Sequence, residues 1–253
     1  MGSSSAQRQV LYSLPALQFR LVALMTLGRE DYERQGAQVL SSGTEIRCSS
    51  DSIIQAVIMM AHDNCHRFKN ILDVGCGADP SYAREIAAMG KQVYGLDYTF
   101  NFLRLAQPRS GNMRLAQADA TQMPYRDSAF DAAICSETAE HVPNDRGVIQ
   151  EIARVLKPDG ILLFTVPNLW NASRIVTMIK ARDYTIRLAE HHIREYSPQQ
   201  VRRLLSPWFT IERSYAVGFG WNGPIGGMLE RMVTLGLLRR FSSSIAVVAK
   251  KAH

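Results

Sequence analysis

Two short stretches of this sequence hold acidic and histidine residues at spacings suited to moving a proton or holding a divalent ion. The first, at residues 137–141, reads Glu-Thr-Ala-Glu-His, and the second is the pair His191 and His192. One helical turn separates Glu137 from Glu140, which predicts that the two carboxylates share a helix face. An imidazole can remove a proton from a hydroxyl nucleophile. Carboxylates with an imidazole can instead hold a metal ion that acidifies the hydroxyl.

A glycine turn between two apolar runs organises the centre of the chain. Residues 71–80 read Ile-Leu-Asp-Val-Gly-Cys-Gly-Ala-Asp-Pro, a helical run follows, and residues 93–98 read Val-Tyr-Gly-Leu-Asp-Tyr. This order predicts a strand, a nucleotide-binding turn, a crossover helix and a second parallel strand. Gly75 and Gly77 allow the backbone to approach a ligand closely. Asp97 lies 20 residues after Gly77 at the end of the second strand, where a carboxylate can accept hydrogen bonds from two ribose hydroxyls.

The residues that follow the turn distinguish between kinds of nucleotide ligand. A dinucleotide site requires a third glycine that allows close packing of helix against strand, and Pro80 stands at that position here. A phosphate-binding loop requires Gly-Lys-Ser or Gly-Lys-Thr, and neither follows the turn. A ligand that contains a ribose but no pyrophosphate therefore fits better than either.

At these residues the chain resembles the class I S-adenosylmethionine-dependent methyltransferases, in particular the small-molecule enzymes of the ubiquinone and menaquinone pathways. Residues 73–77 are similar to the first motif of that family, and Asp97 is similar to its ribose-binding acid. The resemblance covers residues 68–168 strongly and includes the turn Lys-Pro-Asp-Gly at residues 157–160. It implies S-adenosyl-L-methionine as the cofactor. The cofactor contacts that it implies are Asp73, Gly75, Cys76, Gly77, Asp97, Tyr98, Asp119, Ala120 and Glu137.

The fold that the resemblance implies is an α/β, Rossmann-like fold. We expect a doubly wound, seven-stranded, mostly parallel sheet with a helical N-terminal cap and an insertion near the C-terminus. The cap should cover residues 1–64, the cofactor-binding core residues 65–168, and the rest of the same domain, with the substrate-side insertion, residues 169–253. Residues 209–217 and 243–250 are expected to be the last two strands, forming a reversed pair that ends the sheet.

The stretch at residues 137–141 resembles an acid-acid-histidine cluster that holds a divalent ion in some methyltransferases. These are the ubiquinone-pathway O-methyltransferases and the 2′-O-methyltransferases of small-RNA 3′ ends. The final Glu-His pair also occurs in metal-free relatives, so a metal is not expected here, although Glu137, Glu140 and His141 are the candidate ligands. The candidate catalytic bases are His141, His191 and His192. The candidate substrate contacts are the aromatic residues Trp170, Tyr184, Tyr196 and Trp221.

Composition restricts the surroundings and the partners of the chain. A chain of 253 residues with 46% hydrophobic content suits one α/β domain with a cap. No apolar run reaches the roughly 18 residues needed to cross a bilayer, and the 4 cysteines form no Cys-x-x-Cys pair, which favours a cytoplasmic location. The net charge is +6, but the arginines are scattered, and a nucleic-acid site requires a basic patch. No nucleic-acid partner is therefore expected.

These observations predict an S-adenosylmethionine-dependent methyltransferase that acts on a small, apolar or aromatic acceptor. The expected reaction is an in-line displacement at an oxygen atom of the acceptor, helped by a general base. The alternatives are nitrogen or carbon methylation of a small molecule, RNA ribose methylation, and a non-catalytic S-adenosylmethionine-binding subunit. The amphipathic pattern at residues 226–240 also allows contact with a membrane surface, and the sequence leaves the oligomeric state open.

Overall fold

The computed structural model describes residues 51–182, 192–218 and 239–252, together with Ala37. The helices of these parts are α1 (Asp51–Asn64), α2 (Ser81–Ala88), α3 (Phe100–Ala106), α4 (Asp145–Val155), α5 (Ala172–Ala181) and α6 (Pro198–Leu205). The strands are β1 (Asn70–Val74), β2 (Gln92–Asp97), β3 (Arg114–Gln117), β4 (Phe130–Ser136), β5 (Leu156–Pro167), β6 (Phe209–Val217) and β7 (Ser244–Lys251). Short 3₁₀ turns cover Cys65–Arg67, Gln107–Arg109, Ala139–His141 and Arg239–Phe241.

The seven strands form one sheet in the order β3-β2-β1-β4-β5-β7-β6. Neighbouring strands from β3 to β5 pair in parallel, whereas β7 runs antiparallel to both β5 and β6. The strand order reverses between β1 and β4, and open α/β sheets bind their ligands outside the carboxyl ends of the strands at such a point. The prediction of a doubly wound, mostly parallel sheet of seven strands is confirmed.

Helices cover both faces of the sheet, and each face has its own apolar core. One core packs α1 and α2 against the sheet, with Val57, Met60 and Ile86 fully buried. The other packs α4 and α6, where the buried residues Val148, Ile149, Ile152 and Val155 follow helical spacing. A strand covered on both faces is nearly continuously apolar, as in the run from Ile161 to Val166 of β5, where Thr165 is the one polar residue.

One local expectation differs from the structure. Residues 157–160 are not a turn before the strand but a bulge inside β5, because Phe130 pairs with Leu156 while Ala132 pairs with Ile161. Asp159 takes a left-handed conformation there, with a φ of 62°. The last two strands form the expected reversed pair at the end of the sheet, where β7 lies between β5 and β6 and runs antiparallel to both.

Part of the expected architecture lies outside the described residues. Of the cap at residues 1–64, the structure describes Ala37 and residues 51–64. The amphipathic pattern at residues 226–240 is described only at its last two positions. Among the described residues, no helix combines the length and the apolar character that crossing a bilayer requires.

Asp131 of β4 connects three segments at the amino edge of the sheet. Its Oδ2 accepts hydrogen bonds from the backbone amides of Lys69 at 3.0 Å and Asn70 at 2.8 Å. Its Oδ1 lies 2.5 Å from the Nζ atom of Lys157. Burial alone would raise the pKa of Asp131, but these amides and the lysine lower it below its ordinary value. The ionised carboxylate therefore stabilises the start of β1 and the bulge of β5 together.

Replacing Asp131 with Asn should lower the free energy of unfolding by about 1–3 kcal/mol at pH 7, because charge-assisted hydrogen bonds are lost. A depressed pKa contributes stability above the pKa of the unfolded chain, and this stability is lost as the pH falls through the folded pKa. Urea unfolding curves of the two proteins should therefore converge below about pH 4. As a control, Asp159→Asn removes the more exposed ion pair with Lys250 and should cost less than about 1 kcal/mol. A deficit of Asp131→Asn that persists unchanged in acid would contradict this account.

Candidate functional site

The glycine turn after β1 is bonded to the end of β2. The backbone amides of Gly75 and Cys76 both donate to the carbonyl oxygen of Leu96, at 2.7 Å and 3.0 Å. Gly75 and Gly77 have φ values of 74° and 61°, which only glycine adopts at little cost. The turn predicted from the two glycines is therefore formed by their backbone conformation and by hydrogen bonds to the neighbouring strand.

Asp97 ends β2 beside this turn, as the sequence indicates. Its Oδ2 accepts a hydrogen bond from the amide of Gly77 at 2.8 Å, and its Oδ1 accepts one from the amide of Thr99 at 2.8 Å. Each carboxylate oxygen has a second lone pair. The two amides thus fix the carboxylate in an orientation from which it could accept hydrogen bonds from two ribose hydroxyls.

Asp73 lies beneath the turn and is completely buried. Its Oδ1 accepts a hydrogen bond from the hydroxyl of Tyr82 at 2.9 Å, whereas its Oδ2 has no partner. Burial raises the pKa of Asp73 to about 7; the Tyr82 hydrogen bond lowers it, and the nearby charge of Asp97 raises it further. A buried oxygen without a partner is costly, so Oδ2 is a ready acceptor for a donor on a ligand.

The remaining predicted cofactor contacts occupy the rim of this region. Asp119 is exposed after β3, and its Oδ1 accepts hydrogen bonds from the amide and the hydroxyl of Thr121, both at 2.7 Å. Ala120 is partly buried, and Tyr98 is 39% exposed after β2. These positions lie at the same carboxyl edge of the sheet as the glycine turn. Their contacts with the cofactor stay predictions.

Sequence reasoning did not identify the two residues that fix the loop between β3 and β4. Arg154 of α4 donates to the carbonyl oxygens of Met123 at 3.0 Å and Tyr125 at 2.8 Å. Glu151 accepts from Arg154 and also from the amide of Met123 at 2.8 Å. The pair thereby holds the backbone of the loop on both sides of Pro124. In the sequence, the pair shows only as an acid and an arginine three positions apart on a predicted helix.

Glu137 does not share a helix with Glu140. Its φ of 49° is left-handed, and the 3₁₀ turn begins only at Ala139. Its Oε1 accepts a hydrogen bond from the hydroxyl of Thr165 at 3.0 Å. Burial raises the pKa of Glu137 to about 7. The hydrogen bond from Thr165 and the nearby charge of His192 both lower this pKa, but burial has the larger effect. The prediction of a shared helix face is therefore wrong, and the described contacts of Glu137 are with β5 rather than with the glycine turn.

The structure brings two of the three candidate catalytic histidines together. The rings of His141 and His192 lie edge to face, with centroids 4.8 Å apart and an interplanar angle of 76°. A hydrogen bond from the amide of Ile193 to the carbonyl oxygen of Glu140, at 3.1 Å, joins the two segments. The third candidate, His191, lies outside the described residues.

Each of these histidines has a buried carboxyl group behind it. Nε2 of His141 lies 3.8 Å from Oε1 of Glu140, and Nδ1 of His192 lies 3.7 Å from Oε1 of Glu195. Glu195 was not predicted as a site residue, although it stands three positions after His192 in the sequence. The arrangement offers two imidazoles with different acidic partners in one small volume.

The described residues that could hold a metal ion are Glu140, His141 and His192, whose ligand atoms lie within 4.8 Å of one another. Glu137 is not part of this group, so the metal set suggested by the sequence is corrected at that position. Both carboxylate oxygens of Glu140 are buried without a partner. An ion with ligands at about 2.1 Å holds any two donors no more than about 4.2 Å apart. Small side-chain movements would therefore let the group fit a divalent ion, which would acidify a bound hydroxyl.

The four candidate substrate contacts differ in burial and in whether the structure describes them. Tyr196 is only 4% exposed, and its hydroxyl donates to Asp145 Oδ2 at 2.9 Å. These surroundings give Tyr196 a structural role in the core, which corrects its expected place in a substrate pocket. Trp170 is 50% exposed directly before α5. Tyr184 and Trp221 lie outside the described residues.

Comparisons with known proteins agree with this geometry. Residues 72–164 match the family model described as a methyltransferase domain. The ubiquinone biosynthesis O-methyltransferase of Chromobacterium violaceum is 31% identical over 137 residues, which cover 51% of this chain and 57% of that protein. The demethylmenaquinone methyltransferase of Geobacillus kaustophilus is 34% identical over 110 residues, which cover 41% of this chain and 47% of that protein. Residues 72–164 therefore carry a methyltransferase domain similar to that of the class I S-adenosylmethionine-dependent methyltransferases.

Solved structures share the fold of this methyltransferase. An S-adenosylmethionine-dependent methyltransferase of Methanosarcina mazei has a TM-score of 0.57 and 20% identity, over 76% of this chain and 96% of that one. The [4+2]-cyclase SpnF has a TM-score of 0.64 and 19% identity, over 90% of this chain and 96% of that one. Similarity at these identities shows the fold alone. The chain spans about half the length of the curated relatives that it matches.

The cofactor of this methyltransferase family, S-adenosyl-L-methionine, fits the groups found at the glycine turn. The ribose would meet the oriented carboxylate of Asp97, and the free Oδ2 of Asp73 offers an acceptor to a ligand donor. Both carboxyl groups suit a ligand that carries hydroxyl or amine donors, and their cofactor roles stay predictions.

Replacing Gly75 with Ala should distort the turn and weaken S-adenosylmethionine binding, because its Cβ atom would lie 2.4 Å from two side-chain atoms of Thr138. Gly90→Ala is a matched control. Gly90 also has a positive φ, of 78°, but a Cβ atom there would meet nothing within 4 Å. Both variants should lose about 1–2 kcal/mol of stability through the left-handed backbone. Only Gly75→Ala should lose more than this in thermal unfolding and lose cofactor affinity in calorimetry. Equal losses in the two variants would argue against the close packing of the turn on Thr138.

Proposed function

We propose that this methyltransferase moves the methyl group of S-adenosylmethionine to an oxygen atom of a small, apolar or aromatic acceptor. The observation that carries the proposal is the pair of imidazoles, His141 and His192, whose ring centroids lie 4.8 Å apart. A hydroxyl nucleophile must lose its proton as the new bond forms. Imidazole is the side chain whose ordinary pKa suits that task near neutral pH.

The contact between Thr138 and Gly75 supports the placement of these imidazoles beside the cofactor site. The hydroxyl of Thr138 donates to the carbonyl oxygen of Val74 at 3.2 Å, at the start of the glycine turn. The 3₁₀ turn that carries His141 follows immediately, at Ala139–His141. A base on this turn would therefore lie next to the ligand that the glycine turn holds.

The chemistry that the cofactor supplies is one displacement, in which the acceptor oxygen bonds to the methyl carbon while the carbon–sulfur bond breaks and its electron pair stays on sulfur. The protein has no strong charge to stabilise in the leaving group, which is a neutral thioether. Its residues would instead hold the nucleoside, align the acceptor and take the proton from the hydroxyl onto an imidazole nitrogen. Asp97 and Asp73 would serve the first task and a histidine the last.

Exposed apolar side chains support an apolar acceptor. Tyr98 and Phe100 follow β2 and are 39% and 52% exposed, and Trp170 follows β5 and is 50% exposed. They stand near the carboxyl ends of their strands, where the acceptor would enter. The names of the relatives, a ubiquinone biosynthesis O-methyltransferase and a demethylmenaquinone methyltransferase, point the same way.

A nucleic-acid acceptor receives little support from the described residues. Several arginines that could contact phosphates are already paired with carboxylates, namely Arg67 with Glu212, Arg154 with Glu151, Arg174 with Glu195 and Arg194 with Asp145. Methylation at nitrogen or carbon, and cofactor binding without catalysis, remain the alternatives that the experiment below separates.

The direct test is transfer of a labelled methyl group from S-adenosylmethionine into a cell extract, followed by partition between water and organic solvent. Label in the organic phase, released by reagents that cleave methyl ethers, is the expected result. Label that enters RNA or protein instead would overturn the small-molecule proposal. Label that resists ether cleavage would favour a nitrogen or carbon acceptor. Loss of transfer with a chelator, restored by a divalent ion, would assign Glu140, His141 and His192 to a metal.

Replacing Asp97 with Ala should weaken S-adenosylmethionine binding by about 2 kcal/mol, roughly thirtyfold, because hydrogen bonds to a charged acceptor are lost. Calorimetric titration of the folded variant measures this loss. Asp63→Ala, which removes an exposed acid at the end of α1, should bind as the unaltered protein does. Unchanged affinity in a folded Asp97→Ala variant would remove Asp97 from the ribose site.

A further inference from the structure

We infer that Glu195 is a positioning residue that orients His192, so that His192 rather than His141 receives the proton of the acceptor. The inference rests on the proposed methyl transfer to oxygen and assigns the base within that reaction. It follows from a difference between two carboxyl groups that otherwise occupy similar places.

The two histidines have matching surroundings in distance and burial. Oε1 of Glu140 lies 3.8 Å from His141, and Oε1 of Glu195 lies 3.7 Å from His192. The side chains of both glutamates are 0% exposed. Distance and burial therefore give no reason to prefer one histidine over the other as the base.

The partners of the two carboxyl groups differ. Arg174 contacts both oxygens of Glu195, with its Nη2 at 2.5 Å from Oε1 and its Nη1 on Oε2. Neither oxygen of Glu140 has a hydrogen-bond partner. A buried carboxylate keeps its charge only where a cation or several donors compensate the lost hydration.

The contact with Arg174 is the reason to regard Glu195 as the charged partner of its histidine. Both oxygens of Glu195 lie against a guanidinium, which keeps its proton in proteins, so the carboxylate is held as an anion. Among the described residues, Glu140 has no arginine or lysine at hydrogen-bond distance.

An ionised carboxylate can only accept hydrogen bonds, so it favours the imidazole tautomer that carries the proton on the nitrogen facing it. Glu195 faces Nδ1 of His192, so the proton is held on Nδ1, and Nε2 is left with a free lone pair. The distance of 3.7 Å exceeds a hydrogen bond, and a small rotation of the ring closes it, as catalytic contacts tighten in the reacting complex. The other titratable groups near His192 are His141, Glu140 and Glu137. Of the carboxyl groups in this cluster, Glu195 is the one that the described contacts pair with an arginine on both oxygens.

The positive charge that pairs with Glu195 is supplied by Arg174 of α5, a helix that begins at Ala172. Asn171 caps this helix, and its Oδ1 accepts hydrogen bonds from the amides of Ser173 at 2.9 Å and Arg174 at 3.4 Å. Arg174 is therefore placed by the first turn of a capped helix. A chain of contacts runs from this helix through Arg174 and Glu195 to His192.

The test is ¹⁵N nuclear magnetic resonance of the full chain labelled at its 6 histidines, with His192 assigned by its absence in His192→Gln. We expect unaltered protein to show Nδ1 of His192 protonated and Nε2 unprotonated. Glu195→Gln should lose this preference and lower kcat by on the order of a hundredfold. Its affinity for S-adenosylmethionine should stay within about twofold. Glu195→Asp should recover part of kcat, since it restores the charge at a shorter reach.

Glu212→Gln is the matched control, because Glu212 also accepts two hydrogen bonds from an arginine, Arg67, at 2.6 Å and 3.1 Å. It should change neither the spectrum of His192 nor kcat. A proton on Nε2 of His192 in unaltered protein overturns the inference, and this reading needs no variant to fold. Methyl transfer that is undiminished in Glu195→Gln also overturns it. Absence of any methyl transfer, with cofactor binding intact, would reject the proposed function, while the spectrum would still decide whether Glu195 orients His192.

Discussion

The carbonyl oxygen of Leu96 is the acceptor on which the cofactor half of the molecule depends. It receives the amides of two consecutive residues, Gly75 and Cys76, and so joins the turn after β1 to the last residues of β2. Two neighbouring parallel strands end at the same edge of a sheet, and their loops must share the space there. The carbonyl oxygen of Leu96, which accepts both amides, fixes the loop after β1 against the end of β2. With the turn held in this way, the amide of Gly77 is aimed at Asp97.

The segments that carry His141 and His192 are joined to the glycine turn by one side-chain contact and one backbone hydrogen bond. Thr138 packs on Gly75 and bonds to the strand before it. The 3₁₀ turn after Thr138 then supplies the carbonyl oxygen of Glu140, to which the amide of Ile193 is bonded. The position of each histidine is therefore set mainly by main-chain geometry. Side chains determine what remains, namely which carboxyl group is charged and which tautomer faces the ligand.

The sequence predicts the elements that follow from local patterns and misses those that depend on pairing over long distances. The glycine turn, β1 to β5 and the acid Asp97 follow from short-range periodicity and spacing. The left-handed backbone of Glu137 and the bulge at residues 157–160 do not, because tertiary packing imposes conformations that these residues rarely adopt alone. The ion pair of Arg174 with Glu195 spans 21 residues, and no local signal distinguishes it from a solvated charge. Tyr196 resembled a pocket residue because burial of an aromatic side chain is invisible in sequence.

Asn168 fixes the place where the chain leaves the sheet and the place where it returns. Its side-chain amide donates to the carbonyl oxygens of Arg240 at 2.9 Å and Ser242 at 2.8 Å, and its Oδ1 accepts from the amide of Trp170 at 3.1 Å. The departure after β5 and the re-entry before β7 are thus pinned to one side chain. The described chain between these two points returns to the sheet as β6, so a change of length that keeps the strand register must fall outside α6 and β6. An engineer could therefore vary residues 183–191 and 219–238 while Asn168 keeps both ends of the interval in place.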